Sequence, residues 1–107
     1  NKITLTIISL LISGSAFSNY KCSGKLNYVG VDNNLHLNNG HGVHNICSIQ
    51  DNDRCKMWAS MALSAQARDV DIHIYYSDST GKGESACENI GSWVKPSDEI
   101  YFVSLWD

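Results

Sequence analysis

The sequence predicts an all-β fold with one helix: a five-stranded Greek-key barrel whose helix lies between the third and fourth strands. Three observations carry this. Short apolar runs with partial or strict alternation recur along the chain and are separated by Asn-, Asp- and Gly-rich turns. One stretch, Met57 to Ala67 (MWASMALSAQA), has no proline, glycine or charge and places its apolar residues at helical spacing. The order of these segments is three strands, one helix, two strands.

Lys25 to Val31 is half-alternating and ends at Asp32-Asn33-Asn34, so it pairs as a hairpin with Leu35-His36-Leu37. Asn38 to Asn45 holds two Gly, two His and three Asn and reads as a loop; Ile46 to Ile49 is then a short third strand carrying Cys47. Asp51 or Asp53 caps the helix, and Met57, Trp58, Met61, Ala62 and Ala65 form its core stripe. Asp69 interrupts the helix. Val70, Ile72, Ile74 and Tyr76 alternate with Asp71, His73 and Tyr75, the period of a half-buried strand. Ser77 to Ser85 is a polar loop, and Pro96-Ser97-Asp98 precedes a last strand, Ile100 to Leu105. A ferredoxin-like sandwich would need a second helix, and only Ser85 to Trp93, flanked by Gly83 before it and broken by Gly91 near its end, with few apolar positions between, is available for it. The barrel is therefore the OB-fold.

With 107 residues, 43% of them apolar, and a single proline, the chain is one domain. Lys2, the apolar run Ile3 to Ile12 and the triplet Ala16-Phe17-Ser18 have the order of a signal peptide cleaved after Ser18, leaving residues 19–107. A transmembrane helix would need ~20 apolar residues, more than this run supplies. The formal charge of −3 becomes one unit more negative when Lys2 leaves with the leader, and Arg54 and Arg68 are the only arginines. With no basic run, nucleic acid is excluded as an expected partner. All four cysteines, Cys22, Cys47, Cys55 and Cys87, follow the cleavage point; an even count in a small exported chain predicts two disulfides and an oxidising location, secreted or periplasmic. Four cysteines allow three connectivities. The helix side opposite the core stripe, Ser60, Leu63, Ser64 and Ala67, bears no charge, which fits either a helix tucked beneath loops or burial by another copy of the chain.

The segment Ser60 to Ile74, SMALSAQARDVDIHI, resembles the helix and fourth strand of a group of small exported bacterial OB-fold proteins, which read Ser-Leu-Leu-Leu-Ala-Ala-Gln-Ala-Ser-Gly-Lys-x-Val-x-Ile. In that group a cysteine near the third strand pairs with one after the fourth. The resemblance thus implies Cys47–Cys87, leaving Cys22–Cys55. From Ser23 to Tyr76 the chain more distantly resembles the pentameric sugar-binding B subunits of subtilase cytotoxin and typhoid toxin. Ser23-Gly24 falls where that family has a serine contacting a sialic acid carboxylate. Ile74-Tyr75-Tyr76 falls where the last tyrosine touches the sugar, and Trp58-Ala59-Ser60 is similar to the start of their helix. The interval from Trp58 to Tyr76 is shorter here by about two helical turns. Lys21 and Cys22 replace two tyrosines of the typhoid type, and Leu35 to Leu37 lacks a cysteine that both toxins have. The resemblance implies a non-enzymatic B-subunit-like module that binds sialylated glycans, with a homo-oligomer (a pentamer) and an enzymatic A-type subunit as partners.

The residues themselves qualify this. Sugar recognition needs an aromatic face against the ring and polar or cationic groups at its rim. Tyr76 continues the inward face of Val70, Ile72 and Ile74, where it either lines a barrel mouth or closes the core. Ser23 is a rim hydroxyl or an ordinary strand start, and Lys21 either meets a carboxylate or is solvated. His41 and His44 stand close together with Gly42 and Val43 between them, but zinc wants three or four ligands, so no metal or other cofactor is expected. Catalysis has no motif behind it: GxSxG is missing, Gly81-Lys82-Gly83 opens no helix, and Asp98-Glu99 is adjacent in a turn. The alternative function is an exported interaction or structural module that uses the uncharged helix or the His/Asn-rich loop and touches no sugar.

Overall fold

The computed structural model describes residues 19–78, 81 and 83–106; the expected signal peptide lies outside them. Among the described residues the chain forms six strands, β1 (Tyr20–Lys25), β2 (Tyr28–Val31), β3 (Asn34–Asn38), β4 (His44–Ser48), β5 (Asp71–Tyr76) and β6 (Ile100–Trp106). One α-helix, α1 (Asp53–Arg68), connects β4 to β5, and a 3₁₀ turn occupies Glu84–Asn89. The protein is mostly β with one helix, as expected, but its strands form two antiparallel three-stranded sheets, ordered β1-β5-β6 and β2-β3-β4.

The expected single first strand is two. β1 was hidden because only Tyr20 and Cys22 mark its buried side, alternating with Lys21 and Ser23. The break at Leu26 and Asn27 hands the chain from one sheet to the other. The β2–β3 hairpin forms where the Asp32-Asn33 turn predicts it, with the Asp32 carboxylate accepting from the Asn34 amide at 2.7 Å. The sheets are sewn together by Asn39, a buried residue whose amide nitrogen donates to the carbonyls of Cys22 (3.0 Å) and Ile72 (3.2 Å). Gly24 lies directly beneath, and a Cβ there would sit 2.1 Å from the Asn39 carbonyl oxygen, so no side chain fits.

The helix begins one residue away from either expected cap: Asn52, in extended conformation, accepts from the Cys55 amide at 3.0 Å. It ends at Asp69, which adopts the left-handed conformation (φ 56°) and sends its N–H back to Ala65 and Gln66. Trp58, Ala62 and Ala65 are buried as expected; Met57 is 66% exposed and Met61 half-buried, so the stripe is narrower than its sequence suggests. The small residues Ala62 and Ala65 let the helix sit close over the buried side chains of Leu35, Ile72 and Ile74 in the same core.

The barrel is not closed. Closure requires β4 to pair with β6, yet the outer edge of β4 meets the 93–95 segment instead, the Asn45 amide donating to the Val94 carbonyl at 2.8 Å. Pro96, which has no N–H to give, follows, and β6 begins only at Ile100. The expected closed five-stranded barrel is thereby corrected to two sheets with an open seam. At that seam His44 is buried, and its Nε2 donates to the Gly91 carbonyl at 2.9 Å. Burial lowers its pKa from the ordinary 6.5. The unfolded chain therefore takes up this proton first as pH falls: the contribution of His44 to stability is complete above about pH 6.5 and is lost progressively below it. Thermal melts from pH 7.5 to 5 are expected to show this loss, and it should be smaller in His44→Gln.

The disulfides correct the expected pairing. Cys22 of β1 is bonded to Cys87 of the 3₁₀ turn (Cα–Cα 5.6 Å), and Cys47 of β4 to Cys55 in the first turn of α1 (5.9 Å). The end of β4 and the start of α1 are held together by a short connection, which puts Cys47 beside Cys55 and beyond the reach of Cys87.

Candidate functional site

Strand parity decides which side chains can meet. Tyr20 and Cys22 of β1 point into the core with Ile72, Ile74 and Tyr76 of β5, so Lys21 and Ser23 point to the opposite face of the same sheet. The expected trio does not converge. Lys21 and Ser23 share the outer face, whereas Tyr76 is fully buried (0% exposed) and stacked on Tyr20 with ring centroids 5.0 Å apart and planes 11° from parallel. The Tyr76 hydroxyl finds no hydrogen-bond partner among the described residues, and burial pushes its pKa upward. The Tyr20 hydroxyl donates to the buried Asp98 carboxylate at 2.6 Å; burial and that carboxylate both raise its pKa.

On the outer face the residue next in sequence takes the place expected for Tyr76. Lys21 of β1, Tyr75 of β5 and Phe102 of β6 form one cross-strand row. Tyr75 meets Phe102 edge to face (5.1 Å, 66°) and Tyr101 similarly (6.2 Å, 62°). Both partners reach it because the β5–β6 register jumps here: Tyr75 pairs with Phe102 and Tyr76 with Ile100, leaving Tyr101 as a bulged residue. Phe102 is 50% and Tyr101 39% exposed, unusual for rings clustered on one sheet face. Alternation alone does not reveal this cluster, because it shows Tyr75 only as the outward partner in a half-buried strand. The adjacent Tyr101-Phe102 pair in the last strand was the available signal.

The next row is Ser23, His73 and Ser104. The Ser23 hydroxyl and His73 Nδ1 are 2.6 Å apart, and the Ser23 carbonyl accepts from His41 Nε2 at 3.0 Å. A hydroxyl bonded to an imidazole is the first element of a nucleophile; here His73 is only 3% exposed, and Ser104 stands opposite it on β6. The bond ties the Ser23 hydroxyl to His73, one row along from the aromatic cluster.

A concavity of about 480 Å³ occupies the open seam. Its walls are Asn45 to Ser48 and Lys95 to Ile100, with Asn52, Arg54 and Trp58 from the start of α1 between them. The Arg54 guanidinium lies over the Trp58 ring, 4.8 Å from its centroid. Among the described residues no three His, Cys, Asp or Glu side chains are grouped to hold a metal ion, and no helix is long and apolar enough to cross a membrane. Compared with known proteins, the chain matches no protein-family model, no curated protein and no solved structure.

Proposed function

We propose that the chain is an exported, non-enzymatic carbohydrate-binding module on an OB-type frame, resembling a toxin B subunit. The observation that carries the reading is the half-exposed cluster of Tyr75, Tyr101 and Phe102 in register with Lys21. Aromatic faces stack against the apolar side of a pyranose, phenol hydroxyls bind its rim, and an ammonium group suits an acidic sugar such as a sialic acid. The frame is supported by chain order: with β1 and β2 taken as one strand bent at Leu26-Asn27, the succession is three strands, helix, two strands. Two disulfides are compatible with a secreted or periplasmic location.

A glycan array probed with the purified protein is expected to give signal on sialylated structures. Phe102→Ala and Lys21→Ala are each expected to reduce it about tenfold or more, while Tyr76→Phe leaves it unchanged. Silence across sialylated and neutral glycans would sink the reading. It would favour the second one, an interaction module, for which the exposed Met57, Ser60, Leu63 and Ala67 on one side of α1, beside the Asp53–Lys56 pair at its start, supply a surface. The same surface is the candidate contact for a ring of copies or an A-type subunit.

A further inference from the structure

We infer that Trp93 and Tyr28, on the other sheet, form a second saccharide-stacking site. Trp93 is 68% exposed, and its backbone is left-handed with φ 62°. L-residues avoid that conformation, and a bulky aromatic side chain makes it rarer still. Such strain persists only where the surroundings over-determine it, and here they do. The Trp93 amide donates to the Val43 carbonyl at 2.6 Å, the Val43 amide donates to the Ser92 hydroxyl at 3.0 Å, and His44 Nε2 donates to the Gly91 carbonyl at 2.9 Å. Gly42, at φ 107°, lets the two backbones touch, since a Cβ there would stand 2.5 Å from the Gly91 oxygen. A braced, strained turn thus holds an indole out into solvent, where it adds little to the core.

The ring is not alone. Tyr28, 40% exposed, meets it at 5.6 Å with the planes 68° apart, forming a corner with two aromatic walls. The phenol end of Tyr28 lies over Gly30, where a Cβ would come within 2.7 Å of its hydroxyl. Cross-strand neighbours on that face are polar: Asn38 stands opposite Tyr28 and His36 opposite Gly30. The Asn38 carbonyl oxygen accepts from the Gly40 and Gly42 amides, which orients its amide nitrogen, and His36 Nε2 pairs with the Asp32 carboxylate at 3.1 Å. Aromatic walls with an amide, an imidazole and the Ser92 hydroxyl around them suit the C–H face and hydroxyl rim of a sugar ring better than an extended apolar partner surface. The inference rests on the saccharide-binding reading above, but its residues share nothing with the Tyr75–Phe102 row.

The test uses the purified protein, with lactose, 3′-sialyllactose and triacetylchitotriose as millimolar probes and the Trp93 indole N–H followed by NMR. At least one saccharide is expected to move that resonance, also in Phe102→Ala. Trp93→Gly should weaken the saccharide by about tenfold or more. It should melt no lower than the parent, because glycine accepts the left-handed backbone without strain; a merely structural tryptophan would instead lower the melting temperature. No movement with any probe, or a response that Trp93→Gly leaves intact, overturns the inference. So does a resonance that moves with protein concentration alone, which assigns the corner to contact between copies. Loss through Phe102→Ala alone leaves the first site standing and removes the second; silence at both sets of residues removes both.

Discussion

Replacing Cys22 and Cys87 together by alanine is expected to cost about 4 kcal/mol of stability, since the bond closes a loop of 65 residues. The Cys47–Cys55 bond spans 8 residues and is expected to contribute about 2.5 kcal/mol by the same chain-entropy relation. The difference is large for a domain of this size, whose total stability is on the order of 5–15 kcal/mol. In thermal melts the first double variant should lose roughly 15–30 °C, the second markedly less. Two equal shifts would contradict the loop assignment. The connectivity itself is readable without mutation: trypsin cuts after Lys21, Lys25, Arg54, Lys56, Arg68 and Lys82, which places all four cysteines in different peptides. Non-reducing mass spectrometry should find the peptide of Cys22 joined to that of Cys87. A link between Cys22 and Cys55 would overturn the fold's architecture, because it would move the start of the helix onto β1.

The second large effect separates two substitutions at one residue. Tyr76→Ala removes a fully buried ring stacked on Tyr20 and is expected to cost about 3–5 kcal/mol. Tyr76→Phe keeps the ring and deletes a hydroxyl that has no partner among the described residues. Its desolvation penalty disappears with it, so this variant should lie within about 1 kcal/mol of the parent and on the stabilising side. Denaturant titration of the three proteins checks both at once. A substantial loss in Tyr76→Phe would mean that the hydroxyl is hydrogen-bonded in solution, returning Tyr76 to the list of polar contacts.

The contrast between Tyr75 and Tyr76 shows what could be read beforehand. The alternation from Val70 to Tyr76 correctly assigned the strand and put Tyr76 on the inner face, because side-chain direction in a strand is a local, period-two property. The same parity placed Tyr75 outside, where Phe102 and Tyr101 join it through a bulge between strands far apart in sequence. A bulge is a property of a pair of strands, and neither strand carries a mark of it. Ser23 and Lys21 likewise lie on a strand whose weak alternation hid it, and their partners, His73 and Tyr75, came from register.

Local sequence is enough for most of the elements: the hairpin at Asp32, the helix through Trp58 and Ala65, the strand through Ile74, and enough cysteines for two bonds. Each rests on neighbours within a few residues, where backbone preference and side-chain period act. Which cysteines pair, the open seam between β4 and β6, and which aromatic rings gather on a surface are settled by long-range packing. Those outcomes depend on distances between segments that the chain brings together only after its sheets have packed, and local periodicity carries no record of them.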